Sequence, residues 1–221
     1  ALTAYVVDEA THHVINARDP DDPSSDSLLL SWLTDQPHDK LCDAVALVLG
    51  ESELVRAAEE SEAGGEMWLA ACRWAAAATV VFQTRGVVDH MPFLKRAASS
   101  VSKARESQTA GRFSMDQIDH LDLTLVNRFI VYDPAGLAEH SKRMEPLLTS
   151  AAGKARPDSC FTYYVMCVSF PPWVMGDQQQ LRIGTAGFVS FAVHQGCEGS
   201  PDPATREYFC VALGWFSFWM G

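Results

Sequence analysis

The sequence predicts an α+β fold, with a helical middle segment over about 28–110 packed on a mostly antiparallel C-terminal β-sheet over about 123–220, preceded by an N-terminal β-hairpin. Three observations lead there. The middle segment repeats its apolar residues at helical spacing, while the C-terminal part is rich in β-branched and aromatic runs broken by Pro and Gly. The first seventeen residues hold two further β-rich runs. The 221 residues read as a single domain, with sub-regions at 1–112 and 113–221.

In order along the chain, "TAYVVD" and "HHVINA" form the hairpin, joined through "EAT". "RDPDDPSSDS" (Arg18–Ser27) offers turn residues and no apolar face, so it reads as an exposed loop. "HDKLCDAVALVLG" places Leu41, Val45 and Leu49 at i, i+4 and i+8 and ends on Gly50, a C-terminal cap. "ESELVRAAEESEAGG" is a second helix with Ser52 as its N-cap. "EMWLAACRWAAAATVVFQTR" (Glu66–Arg85) is apolar on nearly every face, with Arg73 its single interior charge, and such a helix is a buried one. Its stretch free of charged and amide side chains, Trp74–Phe82, is nine residues long. A membrane span needs roughly 20, so this is a central helix and no membrane anchor.

"MPFLKRAASSVSKARES" continues as an amphipathic helix entered through Pro92, with Leu94, Ala97, Ala98 and Val101 inward. Ser114 and Gln117 make an S-x-x-Q capping box for a short helix, "SMDQIDHL", with Asp116 in its first turn. "LTLVNRFIVYD" then reads as a strand, and "PAGLAEHSKRMEPLLTSAAG" as a helix opened by Pro134 and disturbed at Pro146. "CFTYYVMCVSF" (Cys160–Phe170), "QLRIGTAGFVSFAVH" (Gln180–His194) and the terminal run from Tyr208 complete the sheet.

Charge is segregated along the chain. Residues 1–65 hold fourteen Asp and Glu against Arg18, Lys40 and Arg56, which accounts for the whole net charge of −11. The stretch 73–112 is basic instead, and Lys95, Arg96, Lys103, Arg105 and Arg112 are its candidates for a weak, sequence-blind contact with nucleic acid phosphates. Complementary regions of this kind also steer association between proteins. The six cysteines include no C-x-x-C pair and sit mostly in apolar runs, so they read as core residues and not as a disulfide framework. With no basic, apolar leader at its start, the chain is expected inside the cell, in the cytoplasm.

The common nucleotide, hydrolase and metal motifs are missing: G-x-x-x-x-G-K-[ST], G-x-G-x-x-G, G-x-S-x-G and H-E-x-x-H do not occur. His12 and His13 are adjacent on a strand and point to opposite faces. His194 and Cys197 face apart on a strand end with no third group to orient them. One spacing carries more. His120-Leu121-Asp122 is followed 72 residues later by His194, and Arg206 lies twelve residues beyond. Two His and one carboxylate are the ligand set of non-haem iron(II) oxygenases. The order, together with "GFVSFAVHQG…PDPATREYFCVAL", resembles the iron(II)/2-oxoglutarate dioxygenases over residues 120–213. That resemblance implies iron(II) held by His120, Asp122 and His194 at strand ends, and a 2-oxoglutarate carboxylate paired with Arg206.

The chain ends on "YFCVALGWFSFWMG", its most aromatic stretch. Read as a strand, alternation puts Trp215 and Trp219 on one face and Phe216, Phe218 and Met220 on the other, so both faces need cover. Exposed aromatics of that size make a patch larger than monomers carry, which points to an interface built by these five residues. The leading expectation is therefore a non-enzymatic structural or assembly protein, a self-associating coat- or shell-like subunit that needs no cofactor. The oxygenase constellation is its alternative.

Overall fold

The computed structural model describes residues 23–35, 42–107, 113–150 and 178–193, with scattered positions between 153 and 214. Among these residues there is no β-strand; the regular structure is helical throughout. The chain divides into two compact units, Ala1–Leu125 and Val126–Gly221, and the boundary falls inside one long helix.

The first unit is built on α1 (Pro23–Asp35), α2 (Cys42–Leu49), α3 (Glu51–Ala63), α4 (Met67–Arg85) and α5 (Val87–Glu106). Helix α4 is central, packing against α5, α3, α2 and α1. Its sequence explains why. Ala70, Ala71, Ala77 and Ala78 are fully buried, and side chains this small let neighbouring helices approach closely on several sides. Trp68 and Trp74 supply bulk between them, at 3% and 1% exposure. The inward set expected of α5, Leu94, Ala97, Ala98 and Val101, is buried. So are Val45 and Leu49 of α2, and burying each such aliphatic side chain stabilises by about 1.5–3 kcal/mol. Among the described residues no helix is long and apolar enough to cross a membrane.

The helix boundaries follow from local chemistry. Gly50 caps α2 at φ 78°, a left-handed backbone that a side chain resists, and its N–H bonds the Ala46 carbonyl at 2.9 Å. The same residue is the N-cap of α3, so Ser52 lies inside the helix and not at its cap. Gly86 alone separates α4 from α5. Helix α5 therefore begins five residues before Pro92, which sits within it; proline lacks the N–H that would bond the carbonyl four residues back. Helix α1 begins at Pro23, so the second half of the expected loop 18–27 is helical.

Helix α6 (Met115–Tyr132) opens on the expected capping box: Gln117 N–H donates to Ser114 Oγ at 3.2 Å, and Ser114 N–H donates to Gln117 Oε1 at 3.0 Å. It does not stop after two turns. The segment 123–132, expected as a strand, continues the helix, and the burial pattern shows why. Ile118, Leu121, Leu125 and Phe129 are buried at steps of three and four, as are Leu123, Val126 and Ile130, whereas alternation would have buried Asn127 with Leu125 and Phe129. A 3₁₀ turn (Pro134–Gly136) leads into α7 (Leu137–Leu148).

Helix α8 (Gln178–Phe191) replaces the expected strand 180–194. Phe188 and Ala192 are fully buried four residues apart, while Ser190 between them is exposed, which no alternating strand allows. Within Cys160–Phe170, the described residues Tyr163 and Cys167 are helical, as are Cys210, Val211, Leu213 and Gly214 of the terminal run. The α+β expectation, with its C-terminal sheet over about 123–220, is therefore corrected to an all-helical architecture among the described residues. The N-terminal hairpin lies outside them.

Candidate functional site

The residues singled out for metal chemistry are not brought together. His120 and Asp122 lie two positions apart on α6, which turns them to different sides of the helix. Asp122 is buried and accepts from Arg105 Nη2 at 3.1 Å, while Arg105 Nη1 lies 2.8 Å from Asp119 Oδ1. One guanidinium thus holds two carboxylates one turn apart and ties the end of α5 to α6. The main-chain oxygen of His120 accepts the Thr124 hydroxyl at 3.0 Å. His194 lies outside the described residues, and Arg206 is helical and exposed. The strand ends that the dioxygenase resemblance implies for His120 and Asp122 are helix instead. Among the described residues no three His, Cys, Asp or Glu side chains gather as a metal site would require.

The charge segregation becomes ion pairing between neighbouring helices. On α3, Glu51 pairs with Arg85 of α4, Glu59 with Arg96 of α5 at 3.2 Å, and Glu53 and Glu60 with Arg56 of the same helix. Glu62 accepts from Trp74 Nε1 at 2.9 Å and from Ser100 Oγ at 3.2 Å. Arg96 also lies over the Trp74 ring, 4.3 Å from its centroid. Of the five basic residues considered for nucleic acid, Arg96 and Arg105 are engaged in these contacts, Lys95 and Lys103 are exposed, and Arg112 lies outside the described residues.

The second unit holds an arrangement that the sequence reading missed. His140 Nε2 lies 2.9 Å from Asp133 Oδ2, and the imidazole stacks on Phe129 with centroids 4.8 Å apart and planes at 17°. The turn Pro134–Gly136 makes this possible by folding α7 back, so that residues seven apart meet. Gly136 leaves room for the pair, since a Cβ at that position would stand 2.5 Å from His140 Nε2 and 2.7 Å from Asp133 Oδ2. Chemically, a carboxylate on one ring nitrogen orients the imidazole and fixes which nitrogen carries the proton. The legible signal was "DPAGLAEH", an Asp-Pro turn with a small residue ahead of a helical His. Close by in sequence, Ser141 hydrogen-bonds Cys167, whose thiol burial pushes up to about 11 against the pull of that bond. Burial thus makes it hold its proton more tightly than an ordinary thiol.

Of the five interface candidates, Trp215, Phe216, Phe218, Trp219 and Met220, all lie outside the described residues. A few residues before them, Cys210 is exposed and Val211 is 53% exposed. Comparison with protein-family models, with curated proteins and with solved structures finds no match to this chain.

Proposed function

We propose that the protein is a non-enzymatic assembly subunit that associates with copies of itself through its C-terminal aromatic run, Trp215, Phe216, Phe218, Trp219 and Met220. The observation that carries this reading is the exposure of Cys210 and Val211 a few residues ahead of the run, with Leu213 half-buried and Gly214 exposed between. An aromatic segment entered from an exposed apolar residue gains most by meeting a second surface, because each large ring removes roughly 150–250 Å² from water when covered. Val88 at 82% and Leu28 at 68% exposure add further apolar surface to the first unit.

Electrostatics supports the same reading by elimination of a rival. Glu51 with Arg85 and Glu59 with Arg96 pair acidic and basic residues between α3 and its neighbours α4 and α5. Of the five basic residues considered for nucleic acid, Lys95 and Lys103 are the described ones outside these ion pairs, and that contact is not favoured. The oxygenase alternative loses its geometric premise where Asp122 is taken up by Arg105.

Size-exclusion chromatography with light scattering tests the proposal. The expected result is an oligomer whose mass is little changed by salt and falls to the monomer's when Trp215 and Trp219 are replaced by Ser. A monomer at every concentration would sink the idea.

A further inference from the structure

Two thiols of the first unit come from helices that pack on one another, Cys42 from α2 and Cys72 from α4. Cys42 extends the buried stripe of α2: it stands three, four and seven residues ahead of Val45, Ala46 and Leu49, the residues that α2 turns to the core. Cys72 lies on α4 with Trp68 one turn before it and Ala76 one turn after, both buried, and is itself 3% exposed. The two differ in access. Cys42 keeps part of its surface in water, and Cys72 almost none.

Electrostatics links the same two groups. Burial is the main reason that the Cys72 thiol holds its proton well above the ordinary range, and a charge on Cys42 adds to it, with Arg73 opposing. The effect of one charge on another group's proton is felt chiefly over about 4–6 Å. A thiol in contact with water also forms the attacking thiolate more readily than one closed off from it. The helix contact therefore brings an accessible thiol to a sheltered one, the arrangement of an attacking and a resolving cysteine. Helix α2 has eight residues, too few to be stable without packing, so a covalent tie to α4 would fix an element that is otherwise held by contact alone.

We propose that Cys42 and Cys72 form a dithiol redox site, oxidised by a low-molecular-weight disulfide such as glutathione disulfide to a bond that joins α2 to α4. The Cys42 thiol gives its proton to solvent, and its thiolate attacks one sulfur of the reagent, forming a mixed disulfide and expelling one reagent thiolate. Cys72 then loses its proton and attacks Cys42 Sγ; the Cys42–Cys72 bond forms as the second reagent thiolate leaves. The protein is oxidised by loss of two hydrogens, and the reagent is reduced to two thiols. Cys42 alone has to meet the reagent, and Cys72 is reached from within the helix contact. The site is independent of the assembly surface proposed above.

The test incubates the reduced full chain with glutathione disulfide at about pH 8, without denaturant, and blocks the remaining thiols by alkylation. Trypsin releases Cys42 within Leu41–Arg56 and Cys72 within Ala57–Arg73, each peptide holding one cysteine. Mass spectrometry without reduction should find these two peptides joined, in protein that runs as a single chain on a non-reducing denaturing gel, and dithiothreitol should part them. The oxidised chain should unfold about 5–15 °C above the reduced one, the scale of a cross-link that closes a loop. Cys42→Ser leaves the buried Cys72 in place, and that gain should be lost. The proposal is overturned if the peptides join only in urea, if Cys42 stays a mixed disulfide that Cys72 never resolves, or if Cys42 is recovered unreacted. It is equally overturned if Cys42→Ser gains as much from the oxidant as the native chain does.

Discussion

The indole N–H of Trp74 donates to Glu62 Oε1 at 2.9 Å, and Ser100 Oγ donates to the same oxygen at 3.2 Å, so a single carboxylate of α3 holds both α4 and α5. Trp74 is 1% exposed, Phe93 lies against it with centroids 6.0 Å apart, and Arg96 covers its ring. This relationship joins the acidic third of the chain to its basic neighbour through one part-buried carboxylate, beside exposed ion pairs.

Trp74→Phe keeps an aromatic ring in the core but removes the donor, leaving Glu62 with one partner fewer. The expected loss is about 1–3 kcal/mol in urea unfolding, the cost of an unmet partner in a largely buried place. Glu62→Gln retains an acceptor oxygen and costs less. A Trp74→Phe loss undiminished in a Glu62→Ala background would show that ring volume, and not the hydrogen bond, sets the effect.

How much of this was legible depends on which periodicity each segment carries. Helices α2 to α5 were readable because Leu94 with Ala97, Ala98 and Val101 repeat at three and four, and because Val45 with Leu49 do so in a run that Gly50 closes, although Leu47 also fits alternation there. In α6, Leu121, Leu123 and Leu125 also fit alternation, and the Val, Ile and Thr that follow favour strands on propensity alone. The helix wins because it buries two adjacent stripes at once. In α8, Gly184 and Gly187 lower helix propensity by about 1 kcal/mol each, so local preference pointed away from the structure. Arg105 with Asp122, and Asp133 with His140, were hidden for another reason: each pair meets only after a turn has been placed.

Ala77 is fully buried on α4 with Ala78 beside it and Ala70 and Ala71 two turns earlier. Ala77→Leu forces three extra carbon atoms into a place with no room, and a loss of about 1–3 kcal/mol is expected. The same replacement at Gln83, which is not buried, should change the urea midpoint little. A tolerated Leu at 77 would contradict the close approach of the helices around α4.

Burial raises two thiols, Cys72 well above the ordinary 9.0 and Cys167 from 9.0 to about 11. Once pH passes 9.0 the unfolded chain releases these protons while the folded chain retains them. The unfolded state then binds fewer protons, so stability, fully present below pH 9.0, falls as pH rises toward about 11. Cys167→Ser removes one of the two contributions, and the urea midpoint, measured under reducing conditions, should fall less steeply across that window. Identical slopes for the native chain and the variant would refute the assignment.

Arg105→Gln leaves Asp119 and Asp122 side by side without their cation. An expected loss of about 1.5–3 kcal/mol reflects charged hydrogen bonds in a partly buried setting. Arg105→Lys should recover less than half of it, because an ammonium cannot reach two carboxylates with the planar fork. Hydrogen exchange at the amides of α6 gives the local readout, with protection falling first around residues 119–122.

Gly136→Ala tests the second unit. The added methyl group would stand 2.5 Å from His140 Nε2 and 2.7 Å from Asp133 Oδ2, closer than carbon approaches such atoms, and His140 must swing away. That loses the Asp133 contact and the stacking on Phe129 together. A drop of about 1–3 kcal/mol is expected, of the order seen when a packed site is overfilled. His140→Ala removes the obstacle, so the double variant should lose clearly less than the two single losses added, a coupling of about 0.5–3 kcal/mol. Strict additivity would mean that Gly136 is needed for the 3₁₀ turn itself and that the imidazole is a bystander. A coupled result would instead show that the added methyl group acts through the imidazole and its contact with Asp133.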